Sequence, residues 1–222
     1  MTESERIKIV LIGESGVGKT NLIQVAMGKP FQRDTESTIS SSYFEGDIII
    51  NNKQYMYALW DTAGQEIYRS LNKLFINGSK IILVVFAIND KRSFEEVDFW
   101  VNYVKETLGE EKYIMALVGN KSDLFEEQQV SEEEIMKKGE KINIRVIITS
   151  AAEDAGGFRL FLESLLKEYI NKTEQGIELD DRNYFSLKYE KEEEKNESKN
   201  EIDRNGKGKI KKKKKKNVVE NY

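Results

Sequence analysis

Apolar and polar positions alternate in two rhythms along this chain up to about residue 171. "RIKIVLI" (6–12), "KIILVVFAI" (80–88), "YIMALVG" (113–119) and "IRVIIT" (144–149) are near-continuous apolar runs, as expected of strands buried on both faces. Stretches of helical period lie between them: Lys19 to about Met27, a segment opened by Ser93, another opened by Ser131, and "GFRLFLESLLKEYI" (157–170). Ser93 with Glu96 and Ser131 with Glu134 have the spacing of capping boxes. "YFEGDIII" and "KQYMYALW" read as two strands joined by a hairpin turn at Asn51–Asn52, and a short helix fits near residues 66–76. The predicted order is β-α-β-β-α-β-α-β-α-β-α. It implies an α/β fold with a six-stranded, mostly parallel sheet, one antiparallel strand, and helices on both faces. Ligands of such sheets sit at the carboxyl ends of the strands.

The rhythm stops near residue 171. Residues 172–222 carry 15 basic and 12 acidic side chains with few aliphatics, so this segment is expected to be a disordered charged tail. It contains "EKEEEK" and, near its end, the run Lys211–Lys216 preceded by Lys207 and Lys209. The remainder holds 20 basic against 27 acidic residues, net −7. The reading is therefore a short extension over 1–5, one domain over 6–171, and the tail. No apolar run approaches the ~20 residues of a membrane span, and "MTESERIKIV" lacks the features of a signal peptide. A soluble, intracellular protein is expected. The chain has no Cys and no His, which excludes disulfides, thiolate nucleophiles and imidazole bases. Its chemistry must use amides, hydroxyls, carboxylates, ammonium groups or a bound metal.

"GESGVGKT" (13–20) follows the first apolar run and opens a helical stretch, in the spacing G-x-x-x-x-G-K-[ST]. Backbone N–H groups of Ser15, Gly16, Val17 and Gly18 can turn around an anion, and the helix dipole favours negative charge there. Lys19 can reach the β- and γ-phosphates, and the Thr20 hydroxyl can bind Mg²⁺. "LVGNKSD" places Asn120, Lys121 and Asp123 after another strand. The Asp123 carboxylate can accept from both guanine N1–H and the exocyclic amine, a donor pair that adenine lacks. Ser150 and Ala151 in "TSA" follow the last strand, where backbone can meet the guanine oxygen. In "ALWDTAGQE", Asp61 can hold Mg²⁺ through a water, the Gly64 N–H can approach a γ-phosphate, and Gln65 can orient an attacking water. Thr38 is a candidate second hydroxyl on the ion.

With "GESGVGKT", "DTAGQE", "NKSD" and "TSA" in this order over residues 6–171, the chain resembles the Ras-superfamily small GTPases, and among them the Rab family most closely. "KPFQRDTESTIS", "LWDTAGQEIYRSL" and "SFEEVDFWV" add to the likeness. The resemblance implies a P-loop GTPase domain binding GTP or GDP with Mg²⁺. It further implies slow intrinsic hydrolysis stimulated by a GTPase-activating protein, guanine-nucleotide exchange factors, and effectors of vesicle traffic. It places Phe31 on the guanine and makes Tyr43, Trp60 and Phe75 an effector-facing triad. Several positions depart from the family pattern: Ser40, Ile67, Ala87, and Ala152 where a Lys stem would pack on the base. "NVVENY" offers no Cys for prenylation, so no prenyl anchor is expected. The implied protein is a cytoplasmic monomer, at most peripheral at endomembranes, with no nucleic-acid partner expected. The cationic run Lys211–Lys216 has three readings: weak contact with anionic lipid, a nuclear-import patch, or a solvated tail with no partner. Two other readings are a GTP-binding scaffold that does not cycle and a different P-loop NTPase.

Overall fold

The computed structural model describes residues 6–33, 38, 42–62, 69–109 and 112–176. Six strands form one sheet in the order β2-β3-β1-β4-β5-β6. These are β1 (Ile7–Ile12), β2 (Ser42–Ile50), β3 (Lys53–Asp61), β4 (Ile81–Ala87), β5 (Ile114–Asn120) and β6 (Arg145–Ile148). Only the β2–β3 pair is antiparallel; β1–β3, β1–β4, β4–β5 and β5–β6 run parallel. The hairpin turns at Asn51 and Asn52, both at positive φ (51° and 61°), a conformation that Asn tolerates better than most residues.

Alternation along the strands splits the core in two. From β1, Ile9 and Leu11 face one cluster while Val10 and Ile12 face the other. In β4, Ile81, Leu83 and Val85 share the first cluster, and Ile82, Val84 and Phe86 the second. Helices α1 (Lys19–Ala26) and α6 (Ala155–Glu174) cover the first face. Ile76 of α2 (Arg69–Ile76), Phe94 of α3 (Lys91–Glu95), Trp100 and Val104 of α4 (Val97–Leu108) and Ile135 of α5 (Glu132–Ile142) fill the second. The chain leaves β1 by α1 toward the hairpin and leaves β3 by α2 toward β4. The sheet therefore reverses its winding between β1 and β4, and the carboxyl end of β1 faces the crevice that this creates.

The expected elements are present, with corrections at the helix after β4 and at the last helix, which runs past residue 171 into the segment expected to be tail. Ser93 does not open the former. Asp90 is the cap, its side chain accepting from the Ser93 N–H at 3.3 Å. The Ser93 hydroxyl turns inward, donating to the Asp90 carbonyl (2.7 Å) and accepting from the Ala87 N–H (3.0 Å). The helix then breaks at Glu96 into α3 and α4. The Ser131–Glu134 capping box is complete, with both reciprocal bonds formed. The last helix starts earlier than its apolar run, capped by Asp154, and continues to Glu174, whose carboxylate meets Lys53 and Tyr55 of β3.

Candidate nucleotide-binding site

The loop after β1 turns on glycines that no other residue could replace. A Cβ at Gly13 (φ 142°) would lie 2.1 Å from the Val85 carbonyl oxygen of β4, and one at Gly18 (φ 93°) would lie 2.4 Å from Asn120 Nδ2. The loop is thus pressed against β4 on one side and the end of β5 on the other, while Ser15, Gly16 and Gly18 border an open cavity. Lys19 begins α1 and is buried; its Nζ donates to the Gly13 and Glu14 carbonyls at 2.9 and 2.8 Å. Burial brings its ammonium pKa down to about 8, against the opposing pull of the Asp61 and Glu14 carboxylates. A buried ammonium of this kind is suited to an anionic ligand.

A cavity of about 440 Å³ extends from this loop across the carboxyl ends of the strands. Ser15, Gly16, Gly18, Lys19 and Thr20 line one end; Asn120, Lys121, Asp123 and Ala151 line the other; Phe31 and Thr38 border it from the segment after α1. Val17 and Ser150 stand behind the wall, both buried. The Ser150 hydroxyl donates to Asp123 Oδ1 at 2.5 Å and accepts from the N–H groups of Ala152 and Glu153, both at 3.0 Å. That arrangement orients the carboxylate and turns the loop after β6 around it. Lys121 adopts a left-handed backbone (φ 66°), unusual for a residue with a Cβ, and the following N–H of Ser122 donates to the Thr149 carbonyl at 3.1 Å.

Asn120 joins the two ends. Its Nδ2 donates to the Val17 carbonyl (2.8 Å) and its Oδ1 accepts from the Ala151 N–H (3.1 Å), all within buried surroundings. The sequence points to Asn120 as a base-side residue; in the structure it borders that end of the cavity, and its side chain also ties together the backbones of the two loops. Asn21 makes a comparable link that the sequence did not signal. It bonds Gln32 through both its amide nitrogen (2.9 Å) and its oxygen (3.2 Å), fixing the start of the segment that carries Phe31. Nothing in the residue pattern marks Asn21, because the link is made to backbone.

Three oxygens meet beside the loop after β1. Thr20 Oγ1 donates to Asp61 Oδ2 at 2.7 Å and lies 2.8 Å from Thr38 Oγ1, which is itself 3.5 Å from Asp61 Oδ2. Asp61 Oδ1 is buried without a hydrogen-bond partner among the described residues. Burial raises the Asp61 carboxyl above its ordinary range, more than the Thr20 hydrogen bond and the Lys19 charge lower it. A carboxylate in that condition, beside two hydroxyls, suits a hard cation with an all-oxygen shell. One carboxylate and two hydroxyls cannot complete an octahedron, so phosphate and water oxygens would supply the rest. Gly64 and Gln65 lie outside the described residues. Tyr43, Trp60 and Phe75 do come together: Tyr43 stacks on Trp60, its directly opposed partner across β2–β3, at 5.1 Å, and Phe75 of α2 follows at 6.0 Å. Tyr43 is 55% exposed, and the Lys8 ammonium lies 4.9 Å from the Trp60 ring.

A mostly parallel sheet with a glycine-bounded loop after its first strand, a buried lysine, and a carboxylate–hydroxyl cluster define a nucleotide-binding protein of the P-loop class. Comparison with known proteins narrows this. The Ras family model matches residues 8–171. Similar proteins include "Ras-related protein Rab-21" of Geodia cydonium, 35% identical over 158 residues, covering 71% of this chain and 69% of the relative. "Ras-related protein RabJ" of Dictyostelium discoideum is 38% identical over 165 residues, covering 74% and 64% respectively. "GTP-binding protein ypt3" of Schizosaccharomyces pombe is 35% identical over 161 residues, covering 72% and 74%. The chain belongs to the Ras family and resembles its Rab-named members. Proteins of this family bind GTP and GDP with Mg²⁺ and hydrolyse GTP to GDP.

Proposed function

We propose that this chain is a GTP-binding switch of membrane traffic whose nucleotide occupies the cavity between the loop after β1 and the loops after β5 and β6. The observation that carries this reading is Asn120, which couples the phosphate end to an oriented carboxylate at the base end. Lys19 and the loop N–H groups bind the phosphates. Thr20, and Asp61 through a water, would hold Mg²⁺, with Thr38 joining while the γ-phosphate is present; the ion would supply charge neutralisation at the phosphate oxygens. Gly64 and Gln65 complete the γ-phosphate side, Gln65 orienting the water. Phe31 covers the base and Asp123 selects guanine.

Release of the γ-phosphate frees Thr38 and Gly64, and partners read the difference. Exchange factors and GTPase-activating proteins set the cycle. Effectors engage the stacked Tyr43–Trp60–Phe75 surface, and the charged tail gives weak, reversible contact with anionic lipid. Adenine-specific readings are disfavoured because Asp123 is an acceptor, and the adenine edge that would face it offers an acceptor, N1, in place of the guanine N1–H and 2-amine donors. A scaffold that does not cycle is disfavoured because Thr38 stands beside Thr20 and Asp61, where it can sense the ion.

The test is base exchange. Asp123→Asn should weaken GDP binding at least ~100-fold, since one buried guanine donor loses its acceptor, and should improve xanthosine diphosphate relative to GDP. Binding is measured by competition against a fluorescent nucleotide. ADP competing with the parent protein as well as GDP does would overturn the reading.

A further inference from the structure

Glu14 presents an electrostatic problem. It lies in the phosphate loop between Gly13 and Ser15, where a carboxylate turned toward a polyphosphate would oppose binding. The side chain does not line the cavity. It is only 9% exposed, and Oε1 accepts a hydrogen bond from Trp100 Nε1 at 3.1 Å. Trp100 comes from α4, 86 residues away, and is 1% exposed. The second core cluster holds it, with Phe99 edge-on at 5.2 Å and Tyr103 edge-on at 6.2 Å. The indole has one donor and no acceptor. Its position is fixed by packing, so the direction of that donor is fixed as well. The Glu14 main chain belongs to the same device, because its carbonyl accepts from Lys19 Nζ at 2.8 Å.

We propose that Trp100 is a positioning residue for nucleotide binding: its indole N–H holds the Glu14 carboxylate out of the phosphate cradle and so fixes the loop that carries the phosphate-binding N–H groups. This rests on the assignment of that loop to phosphate. Helix α4 touches neither phosphate nor base in that scheme, yet through this bond it sets how tightly nucleotide is held. Anything that shifts α4 along the sheet would loosen Glu14 and speed nucleotide release.

The experiment compares release of fluorescently labelled GDP, in excess Mg²⁺ and unlabelled GDP, from three full-length proteins. Trp100→Phe keeps an aromatic ring in the core but removes the donor. Release should be about tenfold faster, the size expected for loss of a charge-assisted hydrogen bond. Adding Glu14→Gln to Trp100→Phe removes the freed negative charge, and release should return to within about threefold of the parent. A purely structural role for Trp100 predicts no such return, because the amide does not repair the packing. Should Trp100→Phe fail to fold, 3-benzothienylalanine at position 100 keeps the shape of the indole and deletes only the N–H, and the same comparison applies. Release from the single variant at the parent rate, or equally fast release from single and double variants, would overturn the proposal. A parent protein that retains no guanine nucleotide would instead refute the assignment of the site.

Discussion

Removing the Asn120 side chain should damage the fold and the site together. In Asn120→Ala the Val17 carbonyl and the Ala151 N–H, both buried, lose their partners. A buried unsatisfied group costs about 1–3 kcal/mol, so the two amount to roughly 2–6 kcal/mol, less whatever entering water recovers. We expect about 3 kcal/mol. At ~2 kcal/mol per molar urea for a domain of this size, that moves the denaturation midpoint down by about 1.5 M. Asn120→Asp gives an internal control. Its carboxylate still accepts from Ala151, but it cannot donate to Val17 and sets a negative charge against that carbonyl, so it should be no better than the alanine variant. The assay is urea unfolding at fixed excess GDP and Mg²⁺, with nucleotide release measured in parallel. Because Asn120 links the two ends of the cavity, release should speed at least tenfold, or ~1.4 kcal/mol. A midpoint within about 0.3 M of the parent together with unchanged release would refute the view that this amide holds the two loops in register.

Gln65→Leu should leave GTP binding nearly unchanged and slow partner-stimulated hydrolysis at least ~10-fold, or ~1.4 kcal/mol of barrier; phosphate release measured with an activating protein checks this, and an unaltered rate would remove Gln65 from the chemistry. Lys91 chiefly, and then the Ser131 bonds, hold the Glu134 carboxyl down to about 2. A depressed carboxyl contributes stability above its ordinary value near 4.5 and loses that contribution as pH falls from there toward 2. The difference in urea midpoint between the parent and Glu134→Ala should therefore be steady at pH 6–7 and shrink between pH 5 and pH 3; a constant difference throughout would contradict the ion-pair assignment. Deleting residues 207–216 should reduce sedimentation with anionic vesicles at low salt, and raising salt should reduce it in the parent, since each Lys contributes ~1 kcal/mol and is screened over ~8 Å at physiological ionic strength. Equal sedimentation with and without these residues would leave the lysines no role in lipid contact.

Much of this architecture can be read from residue order because the strands are apolar on both faces. β4 and β5 bury all seven of their residues, and the runs 80–88 and 113–119 announce this directly. The Ser131 cap was legible because both of its partners are local. Ser93 misled for a related reason: the same spacing occurs there, but burial gave its hydroxyl backbone partners at Ala87 and Asp90, leaving Asp90 to cap. At the site, Lys19, Thr20, Asp61 and Asp123 stand in short motifs with their own chemical logic, and the cavity unites most of them. What the sequence could not show are links from a side chain to backbone or to another side chain elsewhere in the chain. Asn21 to Gln32, Asn120 to Val17 and Trp100 to Glu14 span 11, 103 and 86 residues, and each depends on how strands and helices stack rather than on any local pattern.

The placement of the strands also has a consequence for amide hydrogen exchange. β4 is bonded on both sides, by β1 and β5, and none of its residues is exposed, so its amides should exchange only when the whole domain unfolds. β2 lies at the sheet edge with alternate residues exposed, and it carries the chain from Thr38 into the sheet. Its outer amides should exchange through small local openings at a fraction of that free energy. The part of the sheet that follows Thr38 in the chain can therefore loosen and re-form many times within the lifetime of one folded molecule, while the strand two places inward from its partner β3 stays protected throughout.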